Sequence, residues 1–176
     1  MKYLAMIVLL VFSSALAQGD YQLKVFLNDN ELAWQEEGFS EGVLKVSFAG
    51  GWLELNLADW NSFAYAHVLA TTFQKTAEAT YTVSATIRHN DTGWENYADA
   101  FEVKGDSVEN GLRVLLHPHE NEQPFTRSQS GVRASGLVWL EAKDNVEGLG
   151  GSRIAVNLDQ FKELERLELH YELRYE

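Results

Sequence analysis

Two histidines one residue apart, His117 and His119, are the part of this sequence best suited to chemistry. On a strand, a His-x-His pair puts both imidazoles on one face about 6.5 Å apart, a spacing that grips one metal ion through two nitrogens. His89, at the end of another expected strand, offers a third nitrogen. Glu120 or Glu147 offers a further ligand or an orienting carboxylate, with Asp91 and Glu122 as alternatives. The chain has no Cys, and both Met residues lie in the first six positions, so the donors are imidazole and carboxylate, which suit Zn²⁺ or Cu²⁺. Parity works against convergence. If Leu112, Val114 and Leu116 point inward, His117 and His119 point outward, whereas His89 continues the inward row of Ile87. The three meet only where the strand breaks, and Pro118, with no N–H for a ladder, supplies a reason for a break. The alternative is that these histidines cap strands and bond to loop carbonyls.

Tryptophan offers a different chemistry. In the strand expected over 52–57, leucines hold one face and leave Trp52, Glu54 and Asn56 on the other. Trp139, Glu141 and Lys143 oppose Val138, Leu140 and Ala142 in the same way. Flat aromatic surface beside polar groups suits the apolar faces of sugar rings, as in a carbohydrate- or envelope-binding module. The competing expectation is that the segment 60–75 covers both indoles. Arg127 either staples its own loop to Glu120, Glu122 or Asp99, or takes a ligand carboxylate; most such pairs are structural.

Catalysis has little support. No G-x-S-x-G elbow, H-E-x-x-H helix or phosphate-cradling glycine loop is present, and no two of the many acids are singled out as a hydrolase pair. The reading therefore leans away from an enzyme and names no catalytic residue. A purely structural or partner-binding protein without a small ligand is the remaining alternative.

The elements that would position these residues are strands. In 79–88, Tyr81, Val83, Ala85 and Ile87 share one face. In the last ten residues, Leu167, Leu169, Tyr171, Leu173 and Tyr175 do the same. Shorter alternating runs at 21–27, 43–48, 52–57, 101–103, 112–117, 137–142 and 153–158 bring the expectation to about nine strands. Turn chemistry such as Gly50-Gly51, Asn110-Gly111 and the glycines at 148, 150 and 151 separates several of them. This spacing suggests an all-β, antiparallel β-sandwich, immunoglobulin-like or jelly-roll-like. The segment 60–75 reads either as a short helix, through Ala64, Ala66, Leu69 and Ala70, or as a strand and loop. Asp159 is placed to cap a single helical turn reaching Glu165.

The N-terminus reads as a secretory signal over 1–17: Lys2, an apolar run over 3–12, then Ala15-Leu16-Ala17. Residues 18–176 make one domain's worth of chain. They carry 13 Lys and Arg against 26 Asp and Glu, a formal charge near −13. Such a surface repels nucleic acid and anionic lipid. No later apolar run approaches the length of a membrane span, so an exported, soluble protein is expected, without insertion in the membrane. The absence of Cys removes disulfides and an acyl-anchor cysteine, and fits a bacterial periplasm or exterior. Its partner would be a metal ion or a glycan, and no cofactor is certain.

One stretch resembles a known group. The run R-V-L-L-H-P-H-E-N-E-Q-P-F-T-R-S over 113–128, the segment Gly93-Trp94-Glu95-Asn96-Tyr97-Ala98-Asp99 and the strand ending in His89 resemble small exported bacterial proteins of unassigned function. The resemblance covers about 79–158, with 18–75 as an N-terminal extension packed on it. It implies a β-sandwich and no activity. Relatives of this kind are expected to carry a histidine in a D-x-V-H-G loop, where this chain has Asp144-Asn145-Val146-Glu147-Gly148.

Overall fold

The computed structural model describes residues 20–176; the expected signal segment lies outside them. The described chain is all-β apart from one short 3₁₀ turn. Its strands are β1 (Tyr21–Leu27), β2 (Asn30–Leu32), β3 (Trp34–Ser40), β4 (Val43–Phe48), β5 (Gly51–Asn56), β6 (His67–Ala77) and β7 (Thr80–Arg88). They continue with β8 (Ala98–Glu109), β9 (Leu112–Val114), β10 (Phe125–Asp144), β11 (Gly148–Leu149), β12 (Arg153–Asn157) and β13 (Arg166–Tyr175). Thirteen strands thus replace the nine expected: β2 and β11 carry too few residues to show a period, β3 has no apolar alternation, and β6 falls in the segment whose sequence suits either a helix or a strand. All pair antiparallel, in the order β2-β1-β13-β6-β7-β10-β12-β5-β4-β3, with β8 and β11 also on β10 and β9 on β8.

The two ends of that path are joined by the chain itself. Only Ala33 separates β2 from β3, and these stand at opposite ends of the order. Across this seam the Tyr21 hydroxyl donates to Glu36 Oε2 at 2.6 Å, and Trp34 Nε1 donates to the Leu23 carbonyl at 3.2 Å. The sheet therefore rolls into a nearly closed barrel rather than two separate layers. The other sharp turn is within β10, which pairs β7 through its first half and β8 and β12 through its second. Register breaks fall between Gln129 and Val132 and between Ser135 and Val138, around Gly131 (φ 66°) and Gly136 (φ 69°). Bulges bend a strand, and glycine adopts this backbone without steric cost.

Alternation fills the interior. Val83, Ala85 and Ile87 of β7, Leu53 and Leu55 of β5 and Leu169 of β13 are fully buried, while their neighbours of the opposite parity face out, as the period-two pattern predicts. Residues 60–75 are resolved in favour of a strand. A turn at 59–62 leads into β6, whose Thr71 and Phe73 point inward and which lies between β13 and β7. Its β-branched and aromatic residues fit a central strand better than the flanking alanines fit a helix. The strands β1 to β6 are members of the same sheet, with β5 paired to β12, so 20–77 builds the core instead of packing on a finished domain. The 3₁₀ turn is Leu158–Phe161, and its cap is Asn157, whose side chain accepts from the Asp159 N–H; Asp159 sits inside the turn.

The parity expected around the histidines is inverted. Leu112 pairs Glu102, and Val114 pairs Ala100, on the outer face of β8. Leu112, Val114 and Leu116 are accordingly 51%, 54% and 73% exposed, whereas Leu115 is buried. β9 is an edge strand whose orientation follows its hairpin with β8, and that pairing outweighs the burial of three side chains.

Candidate functional site

At one end of the barrel, β7 runs out into His89. Its Nδ1 lies 2.6 Å from Asp91 Oδ1 and its Nε2 lies 3.0 Å from the Ala64 carbonyl. Both partners accept, so both ring nitrogens carry protons and the ring is an imidazolium. Burial opposes that charge, but the hydrogen bond and charge of Asp91, with Asp144 beyond it, outweigh burial and raise the pKa of His89. Asp91 in turn accepts from the backbone N–H of His119 at 2.6 Å and of Ala98 at 3.1 Å. Both ring nitrogens of His89, expected as the third ligand, are thus engaged within the protein, by Asp91 and the Ala64 carbonyl. Its work is to tie together the loops on either side of Asp91.

His119 lies beyond Asp91, buried and stacked on Phe125 with ring centroids 3.8 Å apart and planes 8° from parallel. Neither of its ring nitrogens has a hydrogen-bond partner among the described residues. Exposed His117 sits over it at 4.5 Å between centroids, its Nδ1 2.9 Å from the Pro118 carbonyl. The structure therefore brings His117 and His119 together and leaves His89 apart. Among the described residues no three His, Asp or Glu side chains are grouped to hold a metal ion. Glu120 and Glu147 are exposed; the backbone of Glu147 donates to Asp144 Oδ1 at 2.6 Å. Arg127 donates to Glu122 Oε2 at 3.3 Å and to the Thr126 carbonyl, beside the Phe125 ring, which is the loop staple. Asp99 pairs with Lys143 instead, at 2.8 Å.

A second buried group escaped the sequence. His67 Nε2 donates to Asp59 Oδ2 at 2.9 Å, and its Nδ1 lies 2.9 Å from Ser152 Oγ. Residues 85 apart in the chain left no local signal. Acid, imidazole and hydroxyl in line resemble a nucleophilic relay, yet all three are buried. Ser152 Oγ already accepts from the Asn56 N–H at 3.0 Å, and Trp60 and Phe63 set their edges or faces against the ring. Burial lowers the pKa of His67 despite Asp59, so it stays neutral. This is a polar clamp between β6, β12 and the 59–66 turn.

The outer face of β4, β5, β12, β10 and β8 is built differently. Register aligns Ser47, Trp52, Ala155, Trp139 and Lys104 in one row across five strands. Trp52 and Trp139 stand on either side of Ala155, two strand steps or about 9.6 Å apart. Ala155 points outward yet is fully buried, the indoles on either side of it are partly buried, and the Arg153 guanidinium lies over the Trp52 ring at 5.6 Å. Of the segment 60–75, the part from His67 onward is β6, a strand of the sheet and not a layer over them. Two residues along each strand runs a row of alternating charge: Lys45, Glu54, Arg153, Glu141 and Glu102, with Lys104 alongside. Lys45 reaches Glu54 Oε1 at 3.2 Å. Arg153 binds Glu54 through Nε at 3.0 Å and also through Nη2, and Glu141 through Nη1 at 3.3 Å. Lys104 pairs with Glu141 and, at 3.6 Å, with Glu102. Beyond this row lies a groove of about 330 Å³ lined by Asn56, Leu149, Gly150 and Gly151 as well as Glu54 and Glu141. Burial would raise the Glu54 carboxyl, but Arg153 and Lys45 hold it below the usual range. Glu54 is not poised to donate a proton, as a glycosidase acid must be.

No family model matches the chain, and no solved structure does. A protein of Halomicrobium mukohataei named "Putative lipoprotein" is 33% identical over 99 residues, which is 53% of this chain and 48% of that protein. The chain spans about half the length of this curated relative. No helix among the described residues is long and apolar enough to cross a membrane.

Proposed function

We propose that the chain is an exported, envelope-associated binding protein whose outer sheet face receives a carbohydrate. One observation carries the reading: Trp52 and Trp139 stand in register on either side of a small residue, partly buried, beside fixed polar groups. Indoles that only filled a core would lie on the other parity. Export is supported by the N-terminal pattern and by the name of the lipoprotein relative. On this reading the barrel is a flattened, sandwich-like scaffold that presents one broad face, and binding without cleavage is favoured by the paired state of Glu54 and Glu141. Affinity electrophoresis through soluble polysaccharides tests it. Trp52→Ala and Trp139→Ala should each weaken retardation by roughly tenfold, about 1.4 kcal/mol, with folding checked by circular dichroism. Unchanged retardation in both would refute the site.

A second reading is a Zn²⁺ or Cu²⁺ site on His117 and His119, with Glu120 supplying a carboxylate. It is favoured by the ring nitrogens of His119, which have no hydrogen-bond partner among the described residues, although Nδ1 lies 3.9 Å from Asp91 Oδ2. Calorimetric titration of either metal into chelator-stripped protein should then show one site, lost in His117→Ala/His119→Ala. Equal weak heats with both proteins would exclude it.

A further inference from the structure

β9 is open along one side, and we propose that a second copy of this chain pairs with it there, edge to edge, about a two-fold axis at Val114. The Val103 N–H donates to the Gly111 carbonyl at 2.9 Å, and the Leu115 N–H donates to the Asp99 carbonyl at 2.8 Å. Hydrogen bonding alternates in direction along an antiparallel strand. Residues 111, 113 and 115 therefore face β8, while Leu112 and Val114 turn their N–H and C=O groups away from it. No strand among the described residues occupies that side. Nor is the edge guarded: β9 has no proline, no bulge and no charge among its outward side chains, the devices that normally keep a free edge from pairing. Leu112, Val114 and, just past the strand, Leu116 are each more than half exposed. Together they present on the order of 300 Å² of apolar surface, a patch of the size that marks an interaction site.

The stretch is complementary to itself. With Val114 opposite Val114 of the second copy, Leu112 falls opposite Leu116 and Arg113 opposite Leu115, so the three exposed apolar side chains of each copy form one strip across the axis. An axis at Arg113 would instead set two guanidinium groups against each other, which is unfavourable for a directly opposed pair. Charge selects the same place. The chain has 26 acidic residues and a formal charge of −12, yet none of those acids lies between Asn110 and His119, so two copies can meet along β9 without an acid on the paired strand. A lipid surface fits less well, because the outward N–H and C=O groups of Leu112 and Val114 would have no partner in hydrocarbon. The side chains of two copies bury roughly 600 Å² besides the strand edges, the low end for a specific interface, so the dimer is reversible and forms at micromolar concentration.

The test uses protein recovered after export from a host expressing the whole chain. Analytical ultracentrifugation should show a monomer–dimer equilibrium that tightens several-fold between 50 and 500 mM NaCl, since salt screens the repulsion between two acidic copies. Val114→Asp should weaken the dimer at least tenfold with an unchanged circular dichroism spectrum, because the side chain it replaces is exposed. Leu164→Asp, which places the same charge at an exposed leucine before β13, should leave it unchanged. The register is read by cross-linking, as the chain has no cysteine of its own. Val114→Cys should form a disulfide-linked dimer on oxidation with diamide, since directly opposed residues lie about 5.5 Å apart between Cα atoms. Leu112→Cys and Leu116→Cys should each fail alone and cross-link when mixed. A monomer at every concentration and salt, or a dimer that Val114→Asp leaves intact, would overturn the proposal. A dimer that Val114→Asp breaks but Val114→Cys does not cross-link would overturn the axis. Monomeric protein that floats with phosphatidylcholine vesicles, and ceases to as Val114→Asp, would assign the surface to lipid and remove the second copy.

Discussion

The histidine end and the tryptophan face differ in how far their polar groups are already spoken for. Around Asp91, His89 gives both ring protons, Asp91 takes two backbone N–H groups as well, and Gln123 receives the backbone N–H of His89. On the outer face the ions are also paired, but two partly exposed indoles and a groove lie beside them. The end of the barrel is richest in residues associated with chemistry, yet most of those residues are occupied in holding loops. A buried charge must be matched within the protein, so density of functional groups in the interior indicates structural work as readily as activity.

The sharpest way to break this contrast is Asp91→Ala. It leaves the His89 imidazolium buried without its counter-charge and frees two N–H groups, so a loss of about 3–5 kcal/mol in urea unfolding is expected. A loss below about 1 kcal/mol would mean that the end is not a closed network. The pH dependence of stability comes next. The folded pKa of His89 is raised, so its contribution is complete below the unfolded value of about 6.5 and is lost as pH rises through the folded value. Asp91 is lowered: burial opposes this, but His89 and the two N–H groups prevail, so its contribution is present above about pH 4 and is lost as pH falls further. His67 and His119, with their pKa lowered chiefly by burial, act in the opposite sense to His89, since below about pH 6.5 the unfolded chain gains protons that the folded one refuses. Unfolding free energies between pH 5 and 8 should therefore be flatter in the wild type than in His67→Gln/His119→Gln, in which stability should fall as pH rises. A rising profile in that double variant would assign the charged state to the wrong histidine.

On the tryptophan face the expected effects are smaller. Arg153→Met removes the cation shared by Glu54 and Glu141 and should cost about 1–2 kcal/mol. The Glu54 carboxyl should move up from its lowered pKa, which an NMR titration of side-chain carboxyls would follow; an unmoved Glu54 would deny Arg153 its part in the row. Glu122→Ala breaks only the solvent-exposed pair with Arg127 and should change stability by less than about 0.5 kcal/mol, measured by the same unfolding.

What the sequence disclosed came from period. The burial of β5, β7 and β13 and the outward parity of Trp52, Trp139, Glu54 and Glu141 are properties of single strands, and alternation shows them directly. β6 is ambiguous in sequence because Ala64, Ala66, Leu69 and Ala70 suit a helix, while its partners β7 and β13 decide otherwise, and one of those is some ninety residues away. Leu112, Val114 and Leu116 alternate in the expected way but point outward, since the pairing of Leu112 with Glu102 fixes the face and the pattern alone does not say which face is inside. The tryptophan row is half legible for a similar reason. Each indole can be assigned a parity, but that Ala155 lies between them is a matter of register among β5, β12 and β10. The Asp59, His67 and Ser152 clamp has no local trace at all.

The seat of β13 also bears on how the protein comes to exist. It lies between β1 and β6, with Tyr21 opposite Tyr175 at one end, so the sheet has a gap until the residues Arg166–Tyr175 have been made. Pairing over such separations is slow, because the entropy of closing a long loop is lost before any contact forms. Closure of this sheet should therefore trail the formation of its local hairpins. For a protein read as exported that delay is useful: a secretion channel that threads extended polypeptide meets a substrate whose fold closes slowly.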